Sequence, residues 1–440
     1  MACLTRSLVQ RTAEPANVIP KNYLATFRSC PFSNLPTQVA APTRYTPPVT
    51  NDWIGLARGL APAFRARAAR HDREGSFPFE NFQELRDAGF FRLTVPRAFG
   101  GEEASLTTFL RVQEEIAAGD GSTALALMMH LKTFGQEREA HSYPEPWFAE
   151  ICRGAVEDGW LVNTAATEEG LGSPAGGGLP DTAAVATPDR WLLRGRKTFT
   201  TLSPLLHYFI VLARLPANAG EGVRAGNFMV LRDDVGVRVD PTWDSLGMRA
   251  TGSDDLVLED VQLPPDRLMT TRNPGAGDAR GGAGMAWFAL GLCATTTGVA
   301  RAARDYAVGY ARERTPSGNK TITEYPGVRT RIARIDLLLQ RSRAMTYDAA
   351  GAWESRAGDG MAAIDRVAAA KVDTLNSCIE AVDLAMRVVG GVSLQRSRPI
   401  ERYYRDVRAP LHNPPLEDRA LEQLARAALD EPPEPPRPVE

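Results

Sequence analysis

The spacing of apolar residues changes period twice along this chain, and those two changes restrict its architecture more than any single motif. From Asp52 to about residue 160, apolar side chains recur every three or four positions, as in Leu56, Leu60, Phe64 and Ala68. That is the repeat of helices with one buried face. Between Leu161 and Pro264 the repeat falls to two, with Trp191 and Leu193, Phe209 and Val211, Phe228 and Val230, and Leu256 and Leu258 in short runs separated by Gly, Pro, Asn and Asp. Such runs are strands joined by turns. After Gly284 the helical repeat returns, first from Met285 to Tyr310 and then from Ile364 to Val389. The second stripe predicts a helix of about 29 residues, about 44 Å long.

Helices, then strands, then helices predict an α+β fold. An N-terminal helical domain is expected over 51–160, a central β-barrel or sandwich over 161–275, and a C-terminal four-helix bundle over 276–429. Residues 1–50 are proline-rich and carry Arg6, Arg11, Lys21, Arg28 and Arg44 against Glu14 alone. They read as a disordered extension; a transit peptide or translation from an upstream start fits the same residues. The tail 430–440 also reads as disordered.

Composition excludes some partners. A formal charge of -2 over 440 residues offers no basic field for nucleic acid. The five cysteines and five histidines are scattered without paired spacing, which implies a reducing compartment, a cytoplasmic location and no metal site. No apolar run of about 18 residues stands out, so no membrane span is expected.

The stretch from Ala165 to Thr201 carries chemistry. Its A-A-T-E-E-G-L-G-S-P segment places Ala166, Thr167, Gly172 and Ser173 where backbone amides and hydroxyls could hold a pyrophosphate. Lys197-Thr198-Phe199-Thr200-Thr201 follows, read as a strand that offers an aromatic face and two hydroxyls to a flat ring. A Gly/Ser-rich turn joining two strands uses the same residues.

Further motifs make the chain resemble the acyl-CoA dehydrogenase family over roughly residues 50–429. Gly89 with Pro96 and Gly100-Gly101 resembles the family's first-domain element, and Thr167-Glu168 to Ser173 its T-E-x-x-x-G-S loop. Lys197 to Thr201 is similar to its K-x-[WF]-x-[ST] element and Trp243 to Asp254 to its W-x-x-x-G-x-R-x-[ST]-x-S element. Arg312-Glu313-Arg314, Gly390-Gly391 and E-R-Y-Y-R-D at 401–406 complete the series. The resemblance implies FAD between the β-module and the bundle, with Thr167, Gly172 and Ser173 at the pyrophosphate and ring edge, Phe199 along the ring and Thr201 donating toward its reactive nitrogen. It implies Arg314 and Gly390-Gly391 at the pyrophosphate and adenine end of a neighbouring subunit's FAD, hence a homodimer or homotetramer. Arg387 stands where the family often has glutamine, and Thr315-Pro316 replaces the aromatic and glycine that usually follow the arginine.

The resemblance also locates an expected base, and the chain lacks it. Most members carry a glutamate eight residues after the R-D pair; Pro414 stands there. A minority carry it on the long helix, where this chain has Phe288 beside Trp287, two residues expected to narrow the substrate pocket. Glu417 is close enough in sequence to be a displaced base, although with Asp418 it is better suited to charging the first turn of a last helix. His412 lies six residues after Asp406, and flavin monooxygenases of this fold place a histidine just after the same element.

Two enzymatic readings follow. One is an FAD-dependent oxidoreductase oxidising an acyl thioester such as an acyl-CoA at the α,β carbons and passing electrons to an electron-transfer flavoprotein. The other is a flavin-dependent monooxygenase acting on a small aromatic or amine. A flavin-binding subunit without turnover is a third.

Overall fold

The computed structural model describes residues 52–170, 178–217, 224–273, 280–316, 318, 320–356 and 360–430. The first helix, α1 (Trp53–Glu74), begins where the Asp52 carboxylate accepts the Gly55 N–H at 2.8 Å and ends at Gly75, whose φ of 63° suits glycine. Four more follow: α2 (Phe79–Asp87), α3 (Leu106–Gly119), α4 (Gly121–Ala140) and α5 (Glu145–Arg153). Asp120 closes α3 and opens α4, its carboxylate accepting the Thr123 N–H and hydroxyl at 3.0 and 2.6 Å. Every residue of α4 from Gly121 to Glu137 is buried, which makes it the central helix of this layer.

Eight strands come next: β1 (Leu161–Ala165), β2 (Ala183–Ala186), β3 (Trp191–Lys197), β4 (Leu206–Arg214), β5 (Ala225–Leu231), β6 (Val237–Asp240), β7 (Asp255–Leu263) and β8 (Leu268–Arg272). They form one mixed sheet in the order β6-β7-β3-β2-β4-β5-β8, with β1 parallel to β4. Val162, Tyr208, Ile210 and Met229 pack against Phe134 of α4 and Ile151 of α5. His130 joins helices to sheet: its Nδ1 accepts the Val162 N–H at 3.2 Å, and Nε2 therefore donates to the Phe91 carbonyl at 2.8 Å.

The bundle contains α6 (Gly281–Glu313), α7 (Pro326–Glu354), α8 (Gly360–Val389), α9 (Pro399–Asp406) and α10 (Glu417–Asp430). The predicted long stripe is α8, 30 residues. Contrary to the reading of the apolar runs, α6 is long and apolar enough to cross a bilayer; 83% of its most apolar window is buried inside the protein, so it serves as a core helix. It approaches α3 so closely that a Cβ on Gly298 would lie 2.4 Å from the Glu114 carbonyl oxygen.

Candidate active site

The strand expected to run through Thr201 stops at Lys197. Beyond it the backbone turns, and Phe199 takes a φ of 54°, sparsely populated for a residue with a side chain. Its neighbours impose the turn from outside the segment. Thr198 N–H donates to the Thr167 carbonyl (2.9 Å), Thr200 N–H to Asp254 (3.1 Å), Leu202 N–H to Thr251 (3.1 Å), and Asn163 Nδ2 to the Thr201 carbonyl (2.9 Å). The result is an aromatic ring left 61% exposed, its centroid 5.6 Å from that of Trp243 in an edge-to-face arrangement. A strained, exposed aromatic on a rigid turn marks a site.

Behind the turn lies a buried ion pair. Lys197 Nζ sits 2.5 Å from Glu168 Oε1, and the carboxylate also accepts the N–H groups of Asp181 and Thr182 at 2.5 and 3.0 Å. Burial pulls the lysine down to about 8 against the opposing pull of Glu168. Glu168 itself is lowered overall: desolvation raises it, and hydrogen bonds from Lys197 and Thr182 outweigh that. The pair ties the mouth of the glycine-rich loop to the end of β3.

Hydroxyl groups surround the turn. Thr201 Oγ1 lies 2.8 Å from Ser253 Oγ, which lies 2.7 Å from Thr251 Oγ1. Among the described residues, the buried hydroxyls of Thr164, Thr198 and Thr200 have no hydrogen-bond partner. Buried hydroxyls are normally satisfied, so this wall suits a flat, heteroatom-rich group. The turn fits a flavin on that test: an exposed aromatic face and hydroxyls able to donate or accept. Ala166 and Thr167 are half-buried at its rim, while Gly172 and Ser173 lie outside the described residues.

The W-x-x-x-G-x-R and R-D elements meet and lock three layers together. Asp406 Oδ1 accepts the Met248 N–H at 2.7 Å, and burial pushes its carboxyl up to about 7. Arg405 donates to both oxygens of Asp72 (2.9 and 2.7 Å) and to the Leu246 carbonyl (2.9 Å), while Arg249 Nε donates to the Asp72 carbonyl (2.8 Å). A Cβ on Gly247 would lie 2.6 Å from the Arg405 carbonyl oxygen. Sequence alone did not single out Glu168, Ser253, Asp72 and Asp406 as site supports, because the partners that define their roles, such as Lys197 for Glu168 and Arg405 for Asp72, come from distant sequence.

The loop after α9 is held through its backbone. Buried Lys371 of α8 donates to the carbonyls of Asn413 (2.7 Å) and Pro415. Burial lowers that lysine's pKa, with Cys293 and Glu417 opposing. His412 is exposed, Pro414 half-buried and Glu417 exposed. Glu417 opens α10, and its Oε1 accepts Asn376 Nδ2 at 3.2 Å, so the carboxylate faces α8 at the surface in the first turn of that helix.

Trp287 also departs from the pocket role expected of it. It is fully buried, donates Nε1 to Glu139 at 2.7 Å and fills the space above Gly135, whose Cβ would clash with the ring at 2.3 Å. Phe288 next to it is half-buried, its ring 5.8 Å from Lys132 Nζ. Arg314 caps the end of α6, and Arg387, Gly390 and Gly391 end α8; all four are exposed, and none bonds to the Phe199 turn among the described residues.

Residues 57–142 match the acyl-CoA dehydrogenase N-terminal domain, 163–261 its middle domain and 277–411 its C-terminal domain. "Putative acyl-CoA dehydrogenase YdbM" of Bacillus subtilis (strain 168) is 40% identical over 379 residues, 86% of this chain and 97% of that protein. L-evernosamine nitrososynthase of Micromonospora sp. (strain ATCC 39149 / NRRL 15099 / SCC 1413) is 30% identical, spanning 81% of this chain and 84% of its own. The structure of KijD3 with FMN and dTDP-3-amino-2,3,6-trideoxy-4-keto-3-methyl-D-glucose aligns at a TM-score of 0.75 and 29% identity, covering 87% of this chain and 95% of that one. Three matched domains in order, around a turn shaped for a flavin, make this chain a member of the acyl-CoA dehydrogenase family and a flavin-dependent oxidoreductase.

Proposed function

We propose that this oxidoreductase is an oxygen-using flavoenzyme that hydroxylates or N-oxidises a small aromatic or amine substrate. The observation that carries this reading is Pro414. Abstraction of a thioester α-proton needs a carboxylate within hydrogen-bond reach. This loop offers Asn413, Pro414 and Pro415 there, the long-helix alternative is Phe288, and Glu417 is turned toward Asn376. The loop does present His412, on a segment anchored by Lys371. FAD would be held by Phe199 with Ala166, Thr167, Thr200 and Thr201, and would supply two-electron chemistry when bound; Gly172 and Ser173, expected to join them, lie outside the described residues. His412 takes or holds the substrate proton. The likeness to KijD3 and to L-evernosamine nitrososynthase supports this reading.

Likeness to YdbM favours a second reading, oxidation of an acyl-CoA with electrons passed to an electron-transfer flavoprotein. In either case Arg314, Arg387, Gly390 and Gly391, exposed on the helix ends, reach the FAD of a neighbouring subunit in a homodimer or homotetramer. One experiment separates the readings. FAD-loaded protein is mixed anaerobically with a panel of acyl-CoAs, and in parallel supplied with a reduced-flavin donor, oxygen, and indoles or amino sugars. We expect no bleaching by thioesters and an oxygenated product that His412→Ala abolishes with flavin retained. Bleaching by any thioester establishes the second reading, and unchanged product formation in His412→Ala removes the role given to that histidine.

A further inference from the structure

A cavity of about 400 Å³ lies between α1, α6 and the segment entering α9. Five arginines line it: Arg65, Arg73, Arg396, Arg398 and Arg402. Three acids share the lining, yet each is engaged by an arginine outside it. Arg405 binds Asp72 at 2.9 and 2.7 Å and Glu401 at 2.9 and 3.1 Å, and Arg304 binds Asp305 at 3.0 Å. The positive charge of the lining is therefore not cancelled within it.

Two groups in this cavity have unused hydrogen-bonding capacity. Arg402 is 4% exposed and donates no hydrogen bond among the described residues; its charge contact is Nε at 3.9 Å from Asp406 Oδ2, beyond hydrogen-bond reach. A guanidinium has five N–H donors, and those of Arg402 open onto the cavity rather than onto acceptors among the described residues. The Tyr306 hydroxyl is likewise buried and has no partner among the described residues. Arg73, Arg396 and Arg398 make no ion pair among the described residues, and α9 starts here at Pro399 with no side-chain cap over its first turn. Uncapped N–H groups, the positive end of a helix and several free guanidinium forks all favour an anion with many acceptor oxygens.

We propose that this cavity binds a diphosphate group, free or esterified, at a site separate from that of FAD. A tetrahedral phosphate presents acceptors in enough directions to meet Arg402, Arg398 and Arg396 together, and the cavity volume leaves room for a second. Tyr306, stacked on Tyr310 at 6.5 Å, forms the less polar side on which an organic ester would rest.

The test is calorimetric titration of the full-length, FAD-saturated protein with sodium pyrophosphate and, separately, with adenosine 5′-diphosphate. Saturable binding of pyrophosphate is expected, weakened about tenfold by Arg402→Gln. Tighter binding of the nucleotide assigns the site to an ester, and equal binding assigns it to the free anion. Should Arg402→Gln not fold, Arg398→Gln carries the test, because Arg398 is exposed and removes no internal contact; a severalfold loss is expected. No saturable binding, or affinity unchanged in both variants, overturns the proposal. Loss of binding in Arg314→Gln also overturns it, by placing the probe on the flavin's own phosphate contacts.

Discussion

Replacing Lys197 with methionine keeps an unbranched stem in the space behind the Phe199 turn and removes the ammonium. Glu168 then remains a buried carboxylate with two backbone N–H donors and no cation. Leaving one member of a buried pair unpaired costs about 3–5 kcal/mol. The bonds from Asp181 and Thr182 persist and place the expected loss near about 3 kcal/mol, a large share of the about 5–15 kcal/mol that holds a typical fold. Glu168→Gln strands the lysine instead and should cost a similar amount. The double variant should lose about 2 kcal/mol less than the sum of the singles, because the second change removes a charge already left alone. Urea unfolding followed by circular dichroism gives all four energies. Flavin affinity should fall in each single variant, since Thr167 and Thr198 share a backbone bond beside the pair. Additive single losses, or a Lys197→Met cost below about 1 kcal/mol, would refute the view that this pair closes the loop.

Other perturbations test other parts of the site. Burial pulls His130 down to about 4; its folded value lies below its unfolded 6.5, so its contribution is full above pH 6.5 and about 3 kcal/mol is lost as pH falls toward 4. Asp406, pushed up to about 7, runs the opposite way, so the effect is measured as the difference in unfolding energy between wild type and His130→Gln across that window. Phe199→Ala should change stability by no more than about 0.5 kcal/mol, because the ring is largely exposed, yet weaken FAD about tenfold by fluorescence titration. Gly135→Ala should cost about 1–3 kcal/mol in urea unfolding, because Trp287 is fixed by Glu139 and cannot move off the added methyl.

The periodicity of apolar residues identified the helices, the strands and their order because a buried face is a property of a local segment. The Phe199 turn was not legible, since a β-branched and aromatic run reads as a strand. Its hydrogen bonds to residues 251 and 254 bend it, and they come from distant sequence. Trp287 and Phe288 are adjacent on one helix, and Trp287 is the one that enters the core, where it packs on Gly135 of another helix. For Glu417 the contact with Asn376 is again long-range.

These contacts also separate what identifies the family from what would set the chemistry. Most residues of the shared motifs face one another: Lys197 faces Glu168, Asp406 the Met248 amide, and Arg405 both Asp72 and the carbonyl before Gly247. They hold three layers in register, and that demand is the same whatever reaction the flavin serves. The loop that would carry a base is positioned differently, by Lys371 reaching the carbonyls of Asn413 and Pro415. A backbone carbonyl is present whatever the side chain, so position 414 can exchange a carboxylate for proline without disturbing the anchor. The scaffold is therefore recognisable from its charged and glycine positions, while the reaction proposed above rests on positions that these locks do not use, His412 and Pro414.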